Sequence, residues 1–327
     1  MGRLGRNPHS PWCYPALLAL IAGLAGPALA DPFQLLSTLD PAQVPPAGGG
    51  GDSVVPIISP DGRYVLFAST ANNLVSAGTN GPLPLLFPSR LNVFLRDRTN
   101  PTTSLVSVNL AGTGGCNGDC LPACLAPDGR YVLFESSASD LVPGDTNNAT
   151  DIFLRDLTTG TSLLVSVSTN GTPGNRASRG AVMTPDGRYA AFVSAASDLV
   201  AGDTNGIADV LVRDLQMGVT TLVSAGARAS SSLGGGASEF PDLTPDSRYV
   251  AFYSTASNLV PGVVNSGDIY IRDVTGGTTT WASRGALPAL RSVMSATTTA
   301  CRRTRSVTGL ASLPTGVSFC FRAPPRI

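Results

Sequence analysis

Thr184-Pro185-Asp186-Gly187-Arg188-Tyr189 is one of four near-copies of a single hexad, and the fold follows from that recurrence. Residues 59–64 read S-P-D-G-R-Y, residues 126–131 read A-P-D-G-R-Y and residues 244–249 read T-P-D-S-R-Y. The hexad aspartates, Asp61, Asp128, Asp186 and Asp246, recur about every 60 residues, the mark of a repeat architecture. An Arg-Asp pair keeps the same beat and ends in Asp97, Asp156, Asp214 and Asp273. Within the hexad, proline sets its own φ, aspartate accepts backbone N–H bonds and glycine tolerates positive φ. The six residues therefore encode a tight turn between two strands.

Working outward from the third hexad, residues 181–184 form a short apolar strand and 188–194 (R-Y-A-A-F-V-S) a β-rich run. A polar loop over 198–206 follows, then an alternating segment over 209–215 and a fourth strand over 220–224. Four short strands per repeat, with no helical periodicity between them, make a propeller blade that buries its faces against its neighbours. The expectation is an all-β β-propeller with four four-stranded blades, over 52–108, 122–168, 177–225 and 240–283. Residues 33–39 stand before the first hexad as a fourth strand stands before each later one. A fifth blade would then be shared between this N-terminal strand and the C-terminal tail, and a closed ring would be a monomer.

The hexads, the F-x-S strand ends and the R-D strand ends resemble the exported TolB-like, WD40-like propeller repeats, over about residues 33–284. That resemblance implies a periplasmic or surface interaction scaffold more often than a catalyst. Blade one also carries a Pro-rich apolar insertion between Leu74 and Asn92, readable as a contact site or as a loop folded over its own blade.

Residues 1–30 have a basic start, a short apolar run and Ala28-Leu29-Ala30 before Asp31, the pattern of a cleaved secretory signal. A secreted or periplasmic location is expected, with no transmembrane segment after cleavage. The propeller repeats occupy 31–285. Residues 286–327 lack a hexad and an R-D pair, and read as a degenerate tail, either a decayed blade or a frameshift product. On the latter reading the chain is a truncated piece of a longer propeller.

Composition narrows the chemistry. Basic and acidic residues balance at 22 each, which gives no electrostatic case for nucleic acid. The chain has no Lys, and its only His, His9, lies in the signal, so a Ser-His-Asp hydrolase, a His-ligated zinc site and a Schiff-base enzyme are excluded. Glu135 and Glu239 are the only glutamates. The first reading is a non-enzymatic scaffold for a protein or an envelope glycan; the alternative is a carbohydrate-active lyase or hydrolase built on carboxylates.

Two further patterns bear on sites. Asp145-x-Asn147-x-x-x-Asp151 and Asp203-x-Asn205-x-x-x-Asp209 place oxygen ligands as the opening half of a calcium loop does, without its fifth-position acid or closing glutamate. Asx turns to backbone N–H groups explain the same residues, so calcium is the one cofactor in view. Cys116, Cys120 and Cys124 follow C-x3-C-x3-C spacing, and in a secreted chain Cys116 and Cys120 are expected to form a local disulfide. Five cysteines outside the signal leave one unpaired, and Cys124, which aligns with Ile57 and Val182, is expected to be a buried free thiol.

Overall fold

The computed structural model describes residues 49–75, 90–226, 236–263 and 267–283, with two short strands at 310–312 and 318–320. The expected signal, the strand at 33–39, most of the blade-one insertion and the rest of the tail lie outside these residues.

The described residues form a β-propeller of four blades, each an antiparallel four-stranded meander with strands in chain order. Blade one comprises β1 (Ser53–Ile58), β2 (Tyr64–Ser69), β3 (Asn92–Asp97) and β4 (Thr102–Leu105). Blade two comprises β5 (Cys120–Leu125), β6 (Tyr131–Ser136), β7 (Asp151–Asp156) and β8 (Thr161–Leu164). Blade three comprises β9 (Ser178–Met183), β10 (Tyr189–Ser194), β11 (Asp209–Asp214) and β12 (Val219–Leu222). Blade four comprises β13 (Ser238–Leu243), β14 (Tyr249–Ser254), β15 (Asp268–Asp273) and β16 (Thr278–Trp281). In the tail, β17 (Leu310–Ser312) pairs antiparallel with β18 (Ser318–Cys320).

The hexad closes β1 onto β2 and its counterparts. In blade three the Gly187 N–H bonds the Thr184 carbonyl at 2.9 Å, and the Thr184 N–H bonds the Tyr189 carbonyl at 2.9 Å. The residue after the aspartate takes positive φ in every blade: 72° at Gly62, 76° at Gly129, 71° at Gly187 and 58° at Ser247. This is a tight turn with a left-handed last residue, a geometry that twists with the strands it joins.

In blades two and three the second and third strands are buried on both faces because each lies between two neighbouring blades. One face of β6 packs Phe134 and Val132 against Leu66 and Leu95 of blade one. Its other face packs Leu133 against Phe192 and Leu211 of blade three. The same alternation recurs one blade on, with Ala191 and Val212 against Phe252 and Tyr270. Near-continuous apolar runs such as Y-V-L-F are the sequence cost of that double burial. The fourth strands, by contrast, are largely exposed or half-buried, and β12 and β16 strictly alternate the two.

First strands of successive blades touch one another, β1 against β5, β5 against β9 and β9 against β13. Each also carries a register shift one or two residues before its central pairing. The sequence-based reading of β9 started at residue 181, three residues late, because this bulge hides the alternation of its first half. The bulge needs a left-handed residue in three blades: Gly180 (φ 65°), Val55 (φ 52°) and Phe240 (φ 54°). A left-handed conformation costs a residue with a Cβ about 1–2 kcal/mol. Val55→Gly is therefore expected to raise the midpoint of thermal unfolding by a few degrees; a lowered midpoint would mean that contacts of the valine side chain outweigh its backbone strain.

Candidate functional site

The residues repeated in every blade are tied to one another. The hexad arginine reaches across from the start of the second strand to the R-D aspartate at the end of the third. Arg130 donates from Nε and Nη2 to both carboxylate oxygens of Asp156 at 3.1 and 2.8 Å. Arg63 grips Asp97 in the same two-pronged way at 3.1 and 2.8 Å, and Arg188 grips Asp214 at 3.4 and 2.9 Å. Arg248 places both nitrogens on one oxygen of Asp273, at 3.3 and 3.1 Å. Each of these guanidinium groups also lies over the ring of the following tyrosine, 4.5–4.9 Å from its centre.

The R-D aspartate turns the next hairpin as well. Asp156 accepts the Thr158 and Thr159 N–H groups, and Asp214 those of Gln216 and Met217. The arginine partner, reinforced by these N–H donors, holds both carboxyls down at about 2, and that of Asp97 well below the usual carboxylate range. The arginine of the R-D pair points away from this clamp. Arg155 donates to Ser162 and Arg213 to Thr220, on the fourth strand, and burial lowers both guanidinium pKa values.

The hexad aspartates serve their own turns. Asp61 accepts from the Ser59 hydroxyl at 2.6 Å and the Arg63 N–H at 3.0 Å, which lowers its pKa. Asp186 and Asp246 accept from Thr184 and Thr244 in the same way. Asp128, which follows Ala126 where its sisters follow a hydroxyl, accepts from the Arg130 N–H alone among these contacts, at 2.9 Å.

The two Asp-Asn-Asp loops repeat a common arrangement. Asn147 donates from Nδ2 to Asp151 at 2.6 Å and to the Gly174 carbonyl at 2.8 Å, while its Oδ1 accepts the Ala149 N–H at 2.9 Å. Asn205 donates to Asp209 at 2.9 Å and accepts the Ile207 N–H at 3.1 Å. The other oxygen of Asp151 takes the Ser166 hydroxyl at 2.5 Å, and that of Asp209 takes Ser224 at 2.5 Å. Asp145 and Asp203 are buried beside them, at 5% and 6% exposure. Burial raises the pKa of Asp145, and raises that of Asp151 to about 6 against the opposing hydrogen bonds from Ser166 and Asn147. Among the described residues no three His, Cys, Asp or Glu side chains are placed to share a metal ion.

Cys116 and Cys120 are joined by a disulfide. Cys124 is fully buried between blades two and three, as expected, but it is disulfide-bonded and not the free thiol that the odd cysteine count suggested.

What the sequence reading missed lies where the first strands meet. At the position before the bulge the four blades carry Val54, Leu121, Arg179 and Glu239, and at the next Val55, Pro122, Gly180 and Phe240. These are the places where a strict repeat stops repeating. Arg179 donates to Glu239 at 2.7 Å, linking β9 to β13, and the Gly180 N–H donates to Glu135 of β6 at 2.7 Å. Glu239 stands opposite Tyr253, whose ring lies 6.4 Å from that of Phe240 at an angle of 58°. Phe240 is 47% exposed and keeps its strained backbone. Both glutamates of the chain thus belong to one connected cluster. Their rarity was the available signal, but only the strand register brings them together. A separate groove of about 270 Å³ opens between blades three and four, flanked by Tyr189, Met217, Val219 and Ser247.

No helix among the described residues is long and apolar enough to cross a membrane. No protein-family model matches the chain, and no curated protein matches it. Solved structures do resemble it at the level of fold. A protein assigned as TolB in Agrobacterium tumefaciens is 16% identical over 72% of this chain and 82% of its own, with a TM-score of 0.38. A puromycin-hydrolysing peptidase of Mycobacterium tuberculosis is 14% identical over 72% of this chain and 39% of its own, with a TM-score of 0.38. The tricorn protease is 13% identical over 67% of this chain and 21% of its own, with a TM-score of 0.36. The blades described above stand on the chain's own strand pairing.

Proposed function

We propose that this chain is an exported, non-catalytic β-propeller scaffold that binds a partner at the surface where its first strands meet. One observation carries the reading. The acids and arginines that recur in all four blades are engaged in turns and clamps, whereas Glu135, Arg179, Glu239 and Phe240 differ from blade to blade and remain at least partly exposed. Repeated residues build the blade, and the departures from repetition are where selection for a ligand can act.

A reducing-end assay of the purified protein on a polysaccharide panel is expected to show no turnover. Turnover abolished by Glu135→Gln or Glu239→Gln would sink the scaffold reading in favour of a carboxylate enzyme. The reading also treats the two Asp-Asn-Asp loops as hydrogen-bonded turns. The unfolding midpoint is expected to be the same in millimolar calcium and in chelator, and a calcium-dependent rise lost in Asp145→Asn would assign that loop to a metal.

A further inference from the structure

We infer that the corner formed by Phe240 and Tyr253, with Glu239 beside it and Glu135 linked to it through Gly180 and Arg179, is a binding site for an organic cation, an alkylammonium or guanidinium group. The inference rests on the scaffold reading and names what that surface takes. Three observations lead to it. Two aromatic rings stand 6.4 Å apart and inclined at 58°, and Phe240, one of the pair, is 47% exposed. Inclined aromatic pairs of this kind recognise ammonium and guanidinium groups through the ring quadrupole. The cluster, moreover, is unbalanced: Glu135 and Glu239 supply two carboxylates against the single guanidinium of Arg179. Finally, Phe240 holds this place at φ 54°, where blade three uses Gly180 (φ 65°). A bulky aromatic at a left-handed bulge costs stability that glycine would save, and such strain is found where a side chain is needed for binding.

Arg179 decides the sign of the test. It neutralises Glu239 at 2.7 Å, with its side chain 49% exposed. Removing it leaves the corner more negative, so a cation should bind tighter, whereas an anionic ligand would lose its only counter-charge in the cluster.

The experiment is calorimetric titration of the full mature protein with agmatine, and separately with a short blocked peptide carrying one arginine. The wild type is expected to bind at least one of them, more weakly as salt is raised. Glu239→Gln, which also leaves Arg179 to repel the ligand, is expected to weaken binding about tenfold or more. Phe240→Leu should weaken it roughly two- to fivefold, the worth of an exposed cation–π contact. Arg179→Gln should tighten it severalfold. Glu135→Gln keeps the side-chain shape and an acceptor for the Gly180 N–H, so it tests the charge alone if the Phe240 variant fails to fold. Tighter binding of agmatine assigns the site to small free cations, and tighter binding of the peptide assigns it to a partner's side chain; either supports the cation site. No binding of either probe, or weaker binding by Arg179→Gln, overturns it. A failure here, with polysaccharide turnover still absent, leaves the scaffold reading in place.

Discussion

Gly187→Ala is expected to destabilise the protein by about 2–5 kcal/mol, although it adds a single methyl group at a turn. Two costs combine. Gly187 sits at φ 71°, where a Cβ costs about 1–2 kcal/mol. That Cβ would also fall inside the van der Waals shell of the Tyr131 ring in the preceding blade, and overpacking of this kind costs about 1–3 kcal/mol. The ring has little room to retreat. It is packed against the core between blades two and three, and the Arg130 guanidinium lies 4.5 Å over its centre. Gly129 repeats the arrangement, with a Cβ there predicted 2.7 Å from the Tyr64 ring. The hexad thus does two jobs: its glycine turns one blade and receives the tyrosine of the blade before it.

Blade four supplies the contrast. Ser247 carries a Cβ at φ 58° in the same place, and Tyr189 and Ser247 flank the groove between blades three and four. Ser247→Gly is accordingly expected to stabilise, opposite in sign to Gly187→Ala. Thermal unfolding of the two variants beside the wild type checks both; for a chain of this size each kcal/mol moves the midpoint by about 2–4 °C. A near-neutral Gly187→Ala would mean that the tyrosine does not seat on the glycine in solution.

Much of this was legible in the hexad itself. Its period announced the blades, and P-D-G announced the turn, because proline, aspartate and glycine each act on the backbone within a few residues. The bond partners were less legible. That Arg188 would choose Asp214, not the adjacent Asp186, depends on the register that sets Tyr189 opposite Asp214. The inner cluster was not legible at all. Glu135 and Arg179 are distant in sequence and share no motif, and the bulge that brings Gly180 to Glu135 breaks the alternation by which a strand is read. A repeat exposes what is common to its copies, and this site is made of what is not.

Native stability is expected to fall as pH rises from about 4 to about 6 and then to level off, with Asp151 as the main cause. Its carboxyl is fully buried at the blade-two end of a polar cluster, and burial raises its pKa to about 6, with the charges of Asp145 and Asp198 adding to the rise. Between the unfolded value near 4 and the folded value near 6, the native state holds a proton that the unfolded chain has released. Stability therefore declines with pH across that window, by about 3 kcal/mol for a two-unit shift. The clamped aspartates act in a different range. Asp156 and Asp214, held at about 2 by their arginines, stabilise above the unfolded value and lose that contribution only as pH falls below about 4. The two groups together place the optimum near pH 4–5. Asp151→Asn should flatten the profile between pH 4 and 7, since an amide cannot ionise. Blade one shows that the pocket accepts one: Asn92 occupies the equivalent position and takes the Ser107 hydroxyl at 2.8 Å, as Asp151 takes that of Ser166. The remaining loss is the Asn147 contact, because the new amide nitrogen faces another donor, although Asn147 keeps its bond to the Gly174 carbonyl. Urea unfolding of wild type and variant across pH 4 to 8 separates the alternatives. A wild-type profile already flat in that range would show that Asp151 stays ionised in the folded protein, held so by a counter-charge strong enough to outweigh its burial.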